Sequence, residues 1–200
     1  MLITLSGMVG SGKSTTASLL TRRLEEHGFR PEYVRFRYLR LVGFAKPTRP
    51  RSTGTASTGA PTRGQDFTLK PLTLPRAAAY LVRILAFRLA GIGKGPACVV
   101  LDRYFYDNFV QYQLRSARER LYAGVLGRVI PVPDLALLLV ARDETIAMRR
   151  PLYAATYVED AGRRYRELPA IFPHLVAIRT DSLEESTEAL DEAVRRLLKR

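Results

Sequence analysis

Short apolar runs alternate with stretches of helical periodicity along this chain. Apolar positions at Ala17, Leu20 and Leu24 predict a helix over residues 14–27, directly after the first run. The runs that predict buried strands cover residues 1–5, 33–37, 97–102, 135–140 and 175–178. Near-continuous apolar strands separated by helices are typical of a parallel sheet with helices on both faces. The pattern therefore predicts a three-layer α/β fold.

The alternation stops between about residues 43 and 75, where Thr, Ser, Gly and Pro dominate and basic residues are interspersed. A structureless segment of this length inside a compact domain is usually functional or disordered. Two interpretations stay open, a mobile flap on the substrate side and a disordered insertion. The chain of 200 residues is long enough for one core, so a single domain over residues 1–200 is expected.

The first predicted strand leads into a complete phosphate-binding loop of the form G-x-x-x-x-G-K-[ST], which ends on Lys13 and Ser14. Glycines let the backbone turn closely around a phosphate, so that successive N–H groups and the helix N-terminus point at the anion. Lys13 is predicted to reach the β- and γ-phosphates, and the Ser14 hydroxyl to ligate Mg²⁺. The alternative is a Gly/Ser-rich turn without a ligand. The residues predicted to bind a nucleoside triphosphate are Gly7, Met8, Val9, Gly10, Ser11, Gly12, Lys13, Ser14 and Thr15.

A second chemical cluster begins where the third predicted strand ends, at Asp102. A carboxylate at this point of a phosphate-loop fold can hold Mg²⁺ directly or through water. Arg103 is a fixed cation suited to binding an acceptor phosphate or to neutralising transferred charge. Tyr104 and Tyr106 could provide a stacking face for a base. The alternative is a surface Asp–Arg pair followed by aromatic side chains that pack into the core.

An arginine-rich segment follows the fourth predicted strand, over about residues 142–166. Phosphoryl transfer needs cations that close over the transferred group and exclude water. Arg149 and Arg150 are predicted to act as lid arginines, with no choice between them. For the later arginines at 163, 164 and 166, a solvated basic helix face is a strong alternative.

Composition narrows the classes further. The formal net charge is +13, which favours anionic partners, although arginines are dispersed through every segment and compositional bias explains them equally well. No uncharged apolar stretch of about 18 residues or signal peptide is evident, so a cytoplasmic protein without a membrane partner is expected. Cys98 is the single cysteine and is predicted to be a buried thiol. Two histidines and one cysteine are too few for a Cys/His metal site.

The chain resembles thymidylate kinase and its relatives. The resemblance rests on the phosphate-binding loop in the first βα turn, on Asp102-Arg103-Tyr104, on Pro133-Asp134-Leu135 at the fourth strand, and on the arginine-rich stretch after it. It implies a five-stranded parallel sheet of order 2-3-1-4-5. It also implies transfer of the γ-phosphoryl group of ATP to a nucleoside monophosphate, with dTMP the first candidate. Kinases of this type are often dimers, so the resemblance makes a homodimer a candidate assembly.

The resemblance also implies roles for individual residues. Lys13 would carry the ATP phosphates, and Ser14 with Asp102 would serve Mg²⁺. Arg103 would hold the acceptor phosphate, and Arg37 matches the position of another arginine that binds it.

The chain departs from the family pattern at several positions. The family usually has an acidic residue before the first glycine, where this chain has Ser6, and often an Asp inside the loop, where it has Val9. The serine that the family has shortly after the tyrosine finds no clean match at Asp107 or Asn108. The kinase class is therefore better supported than specificity for thymidylate.

Two other functions remain open. A nucleoside kinase, or a kinase of another small acceptor, would need a general base such as Asp102. The arginines at positions 37 and 103 favour an acceptor that already carries phosphate. A nucleotide-dependent binding or regulatory protein with little turnover, touching nucleic acid through its positive charge, would show a steep salt dependence of polynucleotide binding.

Overall fold

The computed structural model describes residues 1–35, 82, 97–110 and 117–199, and the elements below are those of the described residues. The 43–75 segment and Arg37, for which the sequence makes predictions, lie outside them. In chain order the elements are β1 (Leu2–Gly7), α1 (Lys13–Glu26), β2 (Arg30–Arg35), β3 (Ala97–Asp102), α2 (Tyr106–Val110), α3 (Ala117–Val129), β4 (Leu135–Val140), α4 (Asp143–Arg149), α5 (Ala155–Ile171), β5 (Leu175–Arg179) and α6 (Leu183–Leu198).

The five strands form one parallel sheet of order β2-β3-β1-β4-β5, which confirms the predicted fold class and strand order. The strand β2 begins earlier than the apolar run predicts, because Arg30 pairs with Ala97 and Glu32 with Val99. Among the described strands it lies at the edge of the sheet, where polar side chains are tolerated and the apolar pattern is weak. The central strands β3 and β4 have the predicted bounds.

Two hydrophobic layers cover the two faces of the sheet. The layer against α1 and α6 is mostly aliphatic, and we call it the aliphatic layer; its buried members include Ile3, Leu5, Leu20, Leu24, Cys98, Val100, Leu137, Leu139 and Leu190. The layer against α2, α3 and α5 is rich in rings, and we call it the aromatic layer; its buried members include Leu2, Leu101, Tyr104, Phe105, Tyr106, Phe109, Tyr165, Leu168 and Phe172.

The alternation of side chains along β1 assigns its residues to these layers. Ile3 and Leu5 belong to the aliphatic layer and Leu2 to the aromatic layer. Because successive side chains of a strand point to opposite faces, Thr4 and Ser6 face the same side as Leu2. Both are fully buried. The end of β1 therefore brings a hydroxyl, Ser6, to the aromatic side of the sheet.

The single thiol lies in the aliphatic layer. Cys98 is buried in β3, as the sequence predicts, and burial raises its pKa to about 11. A thiol held in its protonated form in apolar surroundings is chemically inert. Cys98 is therefore a packing residue.

The helix α6 completes the aliphatic side. The Ser182 hydroxyl caps it by accepting a hydrogen bond from the backbone N–H of Glu185 at 3.5 Å. Arg23 of α1 donates two hydrogen bonds, of 2.8 and 3.0 Å, to the carboxylate of Asp191 on α6. Within the described ranges, no helix combines the length and the apolar character that crossing a bilayer requires.

Candidate active site

The phosphate-binding loop connects β1 to α1 and depends on two glycines. Gly7 has a φ of 147°, and a Cβ at this position would lie 2.6 Å from the carbonyl oxygen of Leu139 on β4. Gly12 has a φ of 81° at the N-cap of α1, a left-handed conformation that disfavours other residues. These glycines let the loop lie against the sheet and turn directly into the helix.

Lys13, the first residue of α1, folds back over the loop. Its Nζ donates hydrogen bonds to the carbonyl oxygens of Gly7 at 2.7 Å and Met8 at 2.5 Å. Burial, and then the guanidinium of Arg103, lower the pKa of Lys13 to about 8, while the nearby carboxylates oppose this shift. An anion bound in the loop would favour the charged form of the amine. Lys13 is thus a partly desolvated cation beside a phosphate-binding backbone.

Asp102 ends β3 next to this loop and is held by a tyrosine that the sequence analysis did not single out. The Tyr33 hydroxyl donates a hydrogen bond of 2.8 Å to Oδ2 of Asp102. In the parallel register of β2 and β3, Tyr33 pairs with Val100 and Arg35 with Asp102. Tyr33 and Asp102 therefore share a face, a relation that emerges only once the register is known.

Arg103 follows Asp102 in a strained backbone conformation. Its φ is 75°, the one positive value among the described residues that are not glycine. Its backbone N–H donates to the Leu5 carbonyl at 2.8 Å, and its Nη1 lies 3.3 Å from Oδ1 of Asp107. Left-handed backbone at a non-glycine residue costs about 1–3 kcal/mol and is found mostly at functional sites.

Two departures from the thymidylate kinase pattern meet in space. The Ser6 hydroxyl donates a hydrogen bond of 2.8 Å to Oδ2 of Asp107, and both side chains are buried. The family pattern places an acid where this chain has Ser6. In this chain the acid is Asp107 of α2, the helix that follows β3, and its side chain reaches the start of the loop. The two positions form one hydrogen-bonded pair.

Arg149 and Arg150 close the other side of the loop and differ in their contacts. Arg149 donates from Nη1 to the Gly10 carbonyl at 3.2 Å and from Nη2 to the Thr180 carbonyl at 2.9 Å. The stem of Arg150 lies against Gly10, with its Cγ 3.1 Å from where a Cβ would be. The charge of Arg150 contributes to lowering the pKa of Lys13. Arg149 thus ties the loop to the end of β5, whereas the charge of Arg150 acts on Lys13.

The helix that carries these arginines is fixed at its start by Asp181. Oδ1 of Asp181 accepts hydrogen bonds from the backbone N–H of Arg142 at 2.7 Å and from the Thr145 hydroxyl at 2.9 Å. Asp181 follows β5, so the beginning of α4 is fastened to the sheet. This fastening sets the position from which Arg149 reaches the loop.

One pocket of about 470 Å³ brings most of the predicted site residues together; its lining residues are Val9, Gly10, Gly12, Lys13, Ser14, Thr15, Asp102, Arg103, Arg149 and Arg150. Met8 and Ser11 are buried beneath the loop. Among the described residues, the pocket is lined by four basic side chains (Lys13, Arg103, Arg149 and Arg150) and by one carboxylate, that of Asp102.

Tyr104 and Tyr106 lie in the aromatic layer, not along this pocket. Tyr104 is fully buried and donates from its hydroxyl to the Pro131 carbonyl at 2.6 Å. Tyr106 is 2% exposed, and its hydroxyl is hydrogen-bonded to Nε2 of His174. Burial raises the pKa of Tyr106 and lowers that of His174. Neither ring has an open face for a base, so their placement corrects the predicted stacking role.

The later arginines of the predicted lid lie on α5 and pair with carboxylates. Arg163 and Arg164 bind Asp160, and Arg166 lies 3.1 Å from Asp143. None of the three lines the pocket. The alternative interpretation, a solvated basic helix face, fits Arg163 and Arg166, whose side chains are 63% and 45% exposed, but not Arg164, which is 14% exposed and donates to the Val110 carbonyl.

The donor set of the pocket fits Mg²⁺. Ser14 contributes a hydroxyl and Asp102 a carboxylate, and both line the pocket. Mg²⁺ is commonly held by one or two carboxylates together with substrate phosphates, whereas all-protein cages are rare. Among the residues that the structure describes, no group of three or more His, Cys, Asp or Glu could hold a metal by itself. These two oxygen donors therefore suit a metal that arrives with a nucleotide.

Comparison with known proteins gives one relative to report. No protein-family model matches the chain. The chain is 25% identical over 156 residues to a probable thymidylate kinase from Archaeoglobus fulgidus, an alignment that spans 75% of this chain and 68% of that protein. This weak similarity agrees with the kinase-like resemblance carried by the phosphate-binding loop and by Asp102-Arg103-Tyr104.

Proposed function

We propose that this chain is a nucleotide kinase that transfers the γ-phosphoryl group of Mg·ATP to a nucleoside monophosphate. The observation that carries the proposal is the shared pocket, in which the phosphate-binding loop, Asp102, Arg103 and two lid arginines converge. In the reaction, an oxygen of the acceptor phosphate bonds to the γ-phosphorus as the bond to the β–γ bridging oxygen breaks. The products are ADP and a nucleoside diphosphate.

On the ATP side, the loop backbone and Lys13 bind the phosphates. The N-terminus of α1 presents N–H groups and a partial positive charge to the anion. A triphosphate would draw the Lys13 ammonium away from the carbonyls of Gly7 and Met8, to which it now donates. Ser14 and Asp102 would hold Mg²⁺, which would supply positive charge to the phosphate oxygens. Tyr33 keeps Oδ2 of Asp102 in place.

On the acceptor side, Arg103 binds the phosphate of the monophosphate. A planar guanidinium suits the bidentate recognition of phosphate, and Arg103 lines the pocket. Arg150 is assigned to the charge on the transferred group, because it lines the pocket together with Lys13 and its stem packs against Gly10 of the loop. Arg149 holds the loop through Gly10 and Thr180, so its contribution is to position the loop.

The first acceptor to test is dTMP. The relative from Archaeoglobus fulgidus is named as a probable thymidylate kinase, and the acceptor-side arginine favours a phosphorylated substrate. Hydroxyl acceptors would need a general base within reach, and Asp102 is already committed to the metal.

The test is ADP release from Mg·ATP across a panel of nucleoside monophosphates and nucleosides. Lys13→Met serves as the blank, because it removes the ammonium and keeps the aliphatic stem, and it should lower turnover by about 10³-fold or more. Lys199→Met, which changes an exposed lysine beyond α6, is the matched control and should keep full turnover. Stimulation by one monophosphate supports the proposal and names the acceptor. Stimulation by nucleosides alone, or equal turnover in wild type and Lys13→Met, contradicts it.

A further inference from the structure

Asp107 is a buried carboxylate outside the metal donors and the phosphate-binding loop. It lies in the first turn of α2, and its side chain is 0% exposed. A carboxylate removed from water is costly unless hydrogen bonds and a cation compensate for the lost hydration. The partners of Asp107 therefore determine what it does.

Both oxygens of Asp107 accept hydrogen bonds. Oδ2 accepts from the Ser6 hydroxyl at 2.8 Å and from the backbone N–H of Tyr104 at 3.1 Å. Oδ1 accepts from the Tyr165 hydroxyl at 2.8 Å and from Nη1 of Arg103 at 3.3 Å. Arg103 brings the compensating positive charge.

These contacts join the two halves of the pocket. Ser6 immediately precedes the phosphate-binding loop, and the N–H of Gly7, the first residue of the loop, lies 3.5 Å from Oδ1 of Asp107. Arg103 and Tyr104 belong to the turn after β3. One carboxylate thus spans the start of the ATP-binding loop and the turn that carries the acceptor-side arginine.

Arg103 needs such support more than an ordinary surface arginine does. Its left-handed backbone is a minority conformation that persists only where the surroundings fix it. Its side chain is 26% exposed, so it stands at the border between the pocket and the core. The carboxylate of Asp107 contacts the Arg103 guanidinium through opposite charge and a hydrogen bond of 3.3 Å, and it approaches from the buried helix α2.

We propose that Asp107 is a positioning residue for phosphoryl transfer, which sets the orientation of Arg103 relative to the phosphate-binding loop. This inference rests on the proposed function. Asp107 touches no substrate; it acts through Arg103, so its loss should affect use of the acceptor more than binding of ATP. A carboxylate that only stabilised the fold would leave both unchanged at temperatures where the protein is folded.

The test variant is Asp107→Asn, which keeps the shape of the side chain but removes its charge and replaces one acceptor oxygen with a donor. With dTMP, or with whichever monophosphate of the panel gives the fastest ADP release, we expect kcat/KM for the acceptor to fall about tenfold or more. The KM for Mg·ATP should change by less than about threefold. Circular dichroism and a melting curve establish that the variant is folded at the assay temperature.

Two further variants separate positioning from stability. Tyr165→Phe removes one hydrogen bond to the same carboxylate from α5 and keeps the contact with Arg103, so it should lower Tm with little change in kcat/KM for the acceptor. In an Arg103→Ala background, Asp107→Asn should cause no further loss of acceptor kcat/KM, because the residue through which it acts is gone.

Each outcome is decisive. Loss of acceptor kcat/KM in Asp107→Asn that disappears in the Arg103→Ala background supports the proposal. A lower Tm with unchanged kinetic constants, a parallel loss for ATP and acceptor, or an additive loss in the double variant overturns it while the kinase function stands. Turnover that is equal in wild type and Lys13→Met overturns the proposed function itself, and the positioning role falls with it. If Asp107→Asn does not fold, Asp107→Glu, which keeps the charge, is compared with Ser6→Ala in the same assays. A selective loss of acceptor kcat/KM in Asp107→Glu supports the role, and the absence of such a loss overturns it.

Discussion

The two layers that cover the sheet differ in chemistry. The aliphatic layer buries side chains such as Leu20, Val100 and Leu190, together with the inert thiol of Cys98. The aromatic layer buries rings with polar atoms that bond to specific partners, among them Tyr104, Tyr106, Tyr165 and, beside them, the carboxylate of Asp107. The aliphatic layer stabilises the fold through buried apolar area, and the aromatic layer adds hydrogen bonds with defined directions.

This difference teaches where the site receives its geometry. Hydrophobic burial is non-directional and roughly proportional to area, so the aliphatic layer holds α1 and α6 without fixing any polar atom. Hydrogen bonds fix distances and angles, and in the aromatic layer the one from the Tyr165 hydroxyl ends at Asp107, next to the loop. We therefore expect substitutions in the aliphatic layer to change stability alone. Substitutions that remove the contact between Asp107 and Arg103 should also change the site.

The largest expected effect is on stability, from Leu190→Ala in the aliphatic layer. Leu190 is fully buried, so the variant loses apolar contacts and leaves a cavity, which should lower the free energy of unfolding by about 2–5 kcal/mol. Urea unfolding measures this change. The kcat/KM for the acceptor, measured well below the Tm, should stay within about twofold of wild type.

The matched control is Leu183→Ala on the same helix, where the side chain is 63% exposed and its removal should change stability by about 0.5 kcal/mol or less. A selective loss of acceptor kcat/KM in folded Leu190→Ala would show that the aliphatic layer also shapes the site, and the contrast between the layers would fail.

The same contrast explains how far the sequence leads. The central strands β3 and β4 are buried on both faces, so their apolar runs mark their bounds directly. The phosphate-binding loop is a local motif that its own residues define, and Lys13 and Ser14 line one pocket with other predicted site residues. Asp102 and Arg103 reach the same pocket because the carboxyl ends of parallel strands meet at one edge.

Contacts between distant segments are what the sequence does not reveal. Ser6 and Asp107 meet because α2 packs on the face to which Ser6 points, and Tyr33 reaches Asp102 through the register of an edge strand. Neither contact can be inferred from the periodicity of the local sequence. The rings after Arg103 are equally consistent with a base-binding face and with core packing, and only the docking of α2 against the sheet places Tyr106 beside His174.

A second, smaller effect concerns pH and Cys98. Burial raises the pKa of this thiol from 9.0 to about 11, so between these values the folded state holds a proton that the unfolded chain has lost. Stability contributed by the protonated thiol is complete below pH 9 and is lost as the pH rises toward 11. Relative to Cys98→Ala, wild type should therefore lose up to about 3 kcal/mol of unfolding free energy across this window.

The measurement is urea unfolding of both proteins at pH 8, 9.5 and 11, where the titration of other groups cancels in the difference. If the free energies of unfolding of the two proteins change with pH in parallel, water reaches the thiolate. The aliphatic layer would then be more hydrated than its composition implies.

The smallest effect is the counterpart in the aromatic layer, at His174. Burial lowers the pKa of His174 below 6.5, so the unfolded chain takes up its proton before the folded state does. The stability of wild type is therefore retained above pH 6.5 and is lost as the pH falls through the folded pKa. At pH 7.5, His174→Gln should lower the free energy of unfolding by about 1 kcal/mol, because the hydrogen bond with Tyr106 is altered. The difference in stability from wild type should shrink as the pH falls.

The measurement is the difference in Tm between wild type and His174→Gln, taken from melting curves at pH 7.5, 6 and 5. Narrowing of the Tm difference toward low pH would show that the aromatic layer holds a neutral imidazole in a directional contact, just as it holds the carboxylate of Asp107. A difference that widens would mean that the folded protein stabilises a charged His174. The polar atoms of that layer would then be solvated, and the fixed geometry attributed to them would need another source.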